Sequence, residues 1–130
     1  MSTDFLKSLI SFQVEITMLI AQSKKEGINP QENTELLRSI YQFLSLVEWF
    51  SFLVDIEGIK DKRIITLFWP IINSANRWYE IYFSNSYRAD INNNMFSNLK
   101  KLYSKLKVDE SMQRIKMPID PFDILNELKE

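Results

Sequence analysis

Apolar side chains recur at helical spacing from the start of the chain. Phe5, Leu9, Phe12, Ile16 and Leu19 follow one another at steps of four and three, with Leu6, Ile10 and Ile20 widening the stripe, which is the pattern of a helix with one buried face. Thr3 or Asp4 stands at its start as N-cap, Lys24 and Lys25 suit its negative end, and Gly27 can take the left-handed conformation that closes it. Asn29-Pro30-Gln31-Glu32 is a second start signal, with Asn as the cap and Pro at the first helical position, where its missing N–H costs nothing. The helix it opens, over residues 30–57, becomes apolar in nearly every direction, through Leu44, Leu46, Val47, Trp49, Phe50, Phe52 and Leu53. A helix that is apolar all round is expected to be enclosed by its neighbours.

Gly58 is the next closing glycine, and Asp61 caps a third helix through Ile64, Leu67, Phe68, Ile71, Ile72, Ala75, Trp78, Tyr79 and Tyr82. Pro70 lies inside that period and lacks the amide that would pair with the Thr66 carbonyl, so one helix kinked near its middle is expected. A polar connection over 84–90 precedes a fourth helix, capped by Asn92, Asn93 or Asn94, with Met95, Leu99, Leu102 and Leu106 inward. Pro118 breaks the chain, and Asp120-Pro121 starts a short last helix with Phe122, Leu125 and Leu128 on one side. The expected fold is all-α: four main helices in a bundle-like domain over residues 1–117, the third kinked and the second enclosed by the first, third and fourth. Residues 118–130 then form a short helix that packs on the domain or serves as a docking tail.

Composition fits one packed domain of 130 residues, 45% apolar and 25% charged. Nine Phe, five Tyr and three Trp are more flat apolar surface than a small core readily absorbs, so part of it is expected outside, available to a partner. Sixteen basic against seventeen acidic residues leave a net charge of -1, which provides no global field for nucleic acid or an anionic membrane.

Absent residue types bear on chemistry. The chain has no His and no Cys, which removes the side chains that most often act as base and nucleophile near neutral pH. Its two glycines both read as helix caps, which leaves none for a phosphate loop. No enzymatic activity and no cofactor are therefore expected. Asp90-Ile91-Asn92-Asn93-Asn94 opens like a calcium loop, but Met95 stands where the turn needs Gly and Lys101 where a bidentate Glu belongs. Glu32 and Glu35 fit the first turn of a helix without any ligand. No metal site is expected.

Glu48 lies in the most apolar stretch, between Val47 and Trp49, where an unpaired carboxylate is strongly disfavoured. If the second and third helices form an antiparallel hairpin reversing near Ile59, position 48 falls opposite 70. That pairing predicts a buried hydrogen bond between Glu48 and the region of Asn73, an Arg38–Glu80 ion pair, Tyr41 opposite Arg77 and Trp49 opposite Trp69. Residues 39–56 carry only Glu48 and Asp55 as charges, but an acidic group near a bilayer centre costs about 3 kcal/mol and the flanking caps are those of a soluble helix. Together with the acidic opening Met1-Ser2-Thr3-Asp4 this predicts a cytoplasmic protein with no membrane role.

Residues 37–83 resemble a bacterial and phage helical family that is itself a domain of unknown function. The likeness is carried by Phe43-Leu44-Ser45-Leu46-Val47-Glu48 and by Trp69-Pro70-Ile71-Ile72 with Arg77 following. Members often carry membrane segments ahead of this region, where this chain has none. The resemblance implies a helical fold and names no activity.

The function these features predict is a non-catalytic protein-interaction module, either self-associating or docking as a small inhibitor or adaptor on a larger protein. Aromatic and Arg side chains carry a disproportionate share of interface energy, which singles out Trp78, Tyr79, Tyr82, Tyr87 and Arg88, and in the tail Phe122, Leu125 and Leu128. A core role competes for Trp78, Tyr79 and Tyr82, and is preferred for Trp78 and Tyr82. The alternative is a nucleic-acid-binding accessory protein using Lys100, Lys101, Lys105 and Lys107, four positive charges in a stretch with no negative one.

Overall fold

The computed structural model describes residues 3–57, 62–83 and 96–109, with side chains over 4–54, 68–83 and 96–109. Among these residues there are four α-helices and no strand: α1 (Thr3–Lys25), α2 (Thr34–Glu57), α3 (Lys62–Tyr82) and α4 (Ser97–Lys107), with a 3-10 turn at Pro30–Glu32. The protein is an all-α, bundle-like domain. Gly58, Asp61, Asn92 to Met95 and the tail helix expected from Asp120 lie outside the described residues.

Helix α1 ends as its sequence predicts. Gly27 has φ +74, the Ile28 amide donates to the Ser23 carbonyl at 2.9 Å and the Gly27 amide to the Lys24 carbonyl at 3.2 Å, the pair of hydrogen bonds of a left-handed helix stop. The second start signal is used differently from expectation. Asn29 accepts from the Gln31 amide and Pro30 begins a helix, but that helix is only the short 3-10 turn. Asn33 is extended, and its side-chain oxygen accepts from the Leu36 amide at 3.2 Å while its amide donates to Ser23 Oγ at 2.9 Å. This second cap lies nearer the apolar stripe and is held from α1, so it sets the start of α2 at Thr34.

Aromatic contacts fix how the helices pair. Phe12 meets Phe43 at 6.2 Å and Ser23 meets Asn33, so α1 and α2 run antiparallel. Phe50 stacks on Phe68 at 3.6 Å and Phe43 meets Trp78 edge-on at 5.3 Å, so α2 and α3 are antiparallel too. Trp69 stacks on Tyr103 and Tyr79 meets Phe96, which sets α4 antiparallel to α3. Helix α2 packs against each of the other three, as expected. The core at this junction includes Leu9, Ile16, Ile40, Phe43, Phe50, Phe68, Ile72, Ala75 and Leu99. Helix α3 runs unbroken through Pro70, whose ring is buried.

Candidate functional site

Glu48 is the charged side chain that the apolar stretch made conspicuous, and its partner is a helix end. Its Oε1 accepts from the Asn98 amide and its Oε2 from the Leu99 amide, each at 2.8 Å. These N–H groups belong to the first turn of α4, where they have no partner within the helix and carry its positive partial charge. The residue at the cap position is Phe96, which provides no side-chain cap. A carboxylate from α2 therefore caps α4 and holds it on the bundle. This corrects one expectation, since Asn73, half-buried on α3, is not the partner of Glu48; the helix begins after Phe96, and Asn92, Asn93 and Asn94, expected as caps, lie outside the described residues. A helix terminus offers two charge-favouring donors, which a neutral amide cannot match.

Among the described residues no Arg38–Glu80 ion pair is found. Both side chains are exposed, and Glu80 accepts from Asn76 Nδ2 at 3.4 Å. Nor does Tyr41 meet Arg77; its ring lies 6.2 Å from Phe83 and 5.9 Å from Phe96. The α2–α3 pairing starts at the expected register, with Phe50 on Phe68, and drifts away from it toward the start of α2. Level pairing carried along from Phe50 and Phe68 would place 75 opposite 43 and 77 opposite 41. The observed partners, Trp78 on α3 and Phe83 just after it, lie three and six residues further along the chain.

Trp78 is a core residue, 8% exposed, in line with the core role preferred for it, and Tyr79, expected at a partner surface, is core as well, 4% exposed. Trp78 closes the Phe12–Phe43–Trp78 chain of rings that joins α1, α2 and α3, and Tyr79 packs on Phe96. Tyr82 is half-buried, while Tyr87, Arg88, Phe122, Leu125 and Leu128 lie outside the described residues. Burial holds the Tyr82 hydroxyl above its usual value of 10.0, with the Arg77 guanidinium acting in the opposite direction. The unfolded chain then ionises first, so stability falls as pH rises past about 10 and levels off only once the folded hydroxyl also ionises. Alkaline titration followed by tyrosinate absorbance is expected to lose a component above pH 10 in Tyr82→Phe, and that variant should lose less stability above pH 10 than the parent. An unchanged titration curve would contradict this placement of Tyr82.

The basic residues of α4 are partly drawn into the domain. Lys100 Nζ donates to the Tyr79 hydroxyl at 3.0 Å and lies 4.4 Å from the centre of its ring, and Lys107 lies 5.8 Å from that of Tyr103. Lys101 and Lys105 are exposed. A polar crevice of about 420 Å³ between the end of α1 and the start of α2 is lined by Gln22, Glu26, Glu32 and Glu35, and no group of three ligand-type side chains able to hold a metal occurs among the described residues.

No family model, curated protein or solved structure matches this chain.

The exposed aromatic surface lies where enclosure was expected. Trp49 is 54% exposed and stacks on Phe52, 37% exposed, with ring centres 5.7 Å apart. It does not meet Trp69, which is buried and stacks on Tyr103 of α4. One turn before Trp49 the same face of α2 opens into a shallow groove of about 400 Å³ between Phe12, Tyr41, Gln42, Ser45 and Leu46. Among the described residues α2 has three helical neighbours and an exposed fourth side, and an all-apolar composition gives no indication of which side that is. The one available signal is the outward row Arg38, Gln42 and Ser45, polar residues at steps of four and three, which continues directly into Trp49 and Phe52.

Proposed function

We propose that this domain is a non-catalytic protein-interaction module whose contact surface is the outward face of α2. The observation that carries this reading is the stacked pair Trp49 and Phe52, left in water by a domain that buries its other two Trp residues. A large apolar ring in water is a standing cost that burial against a partner removes, and Trp is the residue most often found to dominate interface energy. A phage or mobile-element origin, implied by the resemblance of residues 37–83, accompanies this reading, as does a cytoplasmic location. Among the described residues no helix is long and apolar enough to cross a membrane, which gives a membrane role no support. Nucleic-acid binding ranks second, because Lys100 and Lys107 lie over tyrosine rings instead of projecting together.

The three tryptophans make the test internal. With dilute purified protein, oxidative footprinting is expected to modify Trp49 first and to spare Trp69 and Trp78. In the source cell Trp49 is expected to be protected as well. Equal oxidation of Trp49 in both settings would mean that nothing occupies the face, and the reading would fall.

A further inference from the structure

The outward face of α2 carries both halves of a contact. We propose that its occupant is a second copy of this chain, packed through antiparallel α2 helices about a twofold axis at Ser45, with each Trp49 indole seated in the groove of the other copy. This rests on the reading of that face as a docking surface and names what docks there.

The spacing fits a helix-on-helix seam. Arg38, Gln42, Ser45, Trp49 and Phe52 follow one another at steps of four, three, four and three, the repeat by which one helix keeps a single stripe toward another. In a twofold contact a surface must complement itself. With the axis at Ser45, the residue four positions on faces the residue four positions back, so Trp49 of one copy arrives over Tyr41 and Gln42 of the other. Those residues line the groove of about 400 Å³. Seven positions out, Phe52 of one copy meets Arg38 of the other, where the guanidinium can lie over the ring.

The crossing point suits close approach. Ser45 is small, and its hydroxyl already donates to the Tyr41 carbonyl at 2.9 Å, so covering it strands no donor. Arg38 is the only charge in the five-residue seam and meets no like charge across the axis. A net charge of -1 per copy leaves little repulsion between chains. An aromatic side chain offers about 150–250 Å², so the exposed shares of Tyr41, Trp49 and Phe52 leave about 300 Å² of ring surface on each copy. With Arg38, Gln42, Ser45 and Leu46 around them, two such faces bury about 1,000 Å² together, below the roughly 1,200 Å² of stable interfaces and in the range of weak, transient ones. The dimer is accordingly weak and concentration-dependent.

Sedimentation of the full chain from about 10 µM to about 1 mM is expected to carry the mass from 15.5 kDa toward twice that value. Trp49→Glu is expected to weaken association at least about tenfold while keeping the helical spectrum and melting curve of the parent. A second measurement does not depend on that variant. The chain contains no Cys, and a disulfide needs the two Cα atoms within about 7 Å. Ser45→Cys should therefore cross-link two copies under mild oxidation, at least about ten times faster than Ser104→Cys, whose parent residue is exposed on α4. A mass fixed at 15.5 kDa at the highest concentration, undiminished association of Trp49→Glu, or equal cross-linking at positions 45 and 104 would each overturn the proposal. A monomer whose Trp49 is nevertheless protected in the cell rejects the second copy and leaves the docking reading standing, whereas a monomer with Trp49 unprotected rejects both.

Discussion

Phe43→Ala is expected to cost about 3–5 kcal/mol in urea unfolding and to lower Tm by roughly 10–20 °C. The ring is fully buried where three helices meet, 6.2 Å from Phe12 on α1 and 5.3 Å from Trp78 on α3. Truncation forfeits its transfer free energy and leaves a void that three separate helices cannot all close. Single domains hold only about 5–15 kcal/mol in reserve, so this substitution takes the protein close to unfolding. Trp49→Ala, six residues along the same helix, is expected to cost about 1 kcal/mol or less, because much of that ring already lies in water. Equal losses at the two positions would mean that the outward face packs internally after all.

Glu48→Ala is expected to cost about 2–3 kcal/mol, more than an ordinary cap, because it removes two charge-assisted acceptors at once. The Asn98 and Leu99 amides lose their 2.8 Å partners, and Phe96 offers no replacement. Glu48→Gln keeps one acceptor oxygen but turns an NH2 group toward the other amide, so it should recover less than half of the loss. Hydrogen exchange at Asn98 and Leu99 is the local readout. Both amides are expected to exchange about 10–100 times faster in Glu48→Ala, since their protection depends on α4 staying docked. Stability within about 0.5 kcal/mol of the parent with unchanged exchange would mean that α4 is held by Leu99, Leu102 and Leu106 alone.

Local signals were legible where the physics is local. The left-handed Gly27 stop, the Asn29-Pro30 turn and the inward Leu99, Leu102 and Leu106 depend on residues within a turn or two of each other, and each is found. The start of α2 was misread because two asparagines, Asn29 and Asn33, offer equivalent caps four residues apart, and only the bond from Asn33 to Ser23 distinguishes them. The need of Glu48 for a partner followed from its apolar surroundings. Its identity did not, since Asn98 and Leu99 lie fifty and fifty-one positions away and any exposed helix end would have served.

The aromatic surface shows the same division. A surplus of rings was evident from composition, and the core role preferred for Trp78 is found, but Tyr79 went into the core as well, while Trp49 and Phe52, expected to be enclosed, stayed outside. All four lie on apolar stretches of regular helical period, and periodicity locates a face without saying what will cover it. Amino-acid order alone determined that this chain forms amphipathic helices with defined stops, and that α2 is the most apolar of them. Tertiary structure alone decided which side of α2 remains open, which helix end Glu48 closes and which residues meet across α2 and α3. The physical reason is that helix formation and capping are short-range, whereas burial is a property of how many neighbours surround a helix, and three helices cannot cover every side of a fourth.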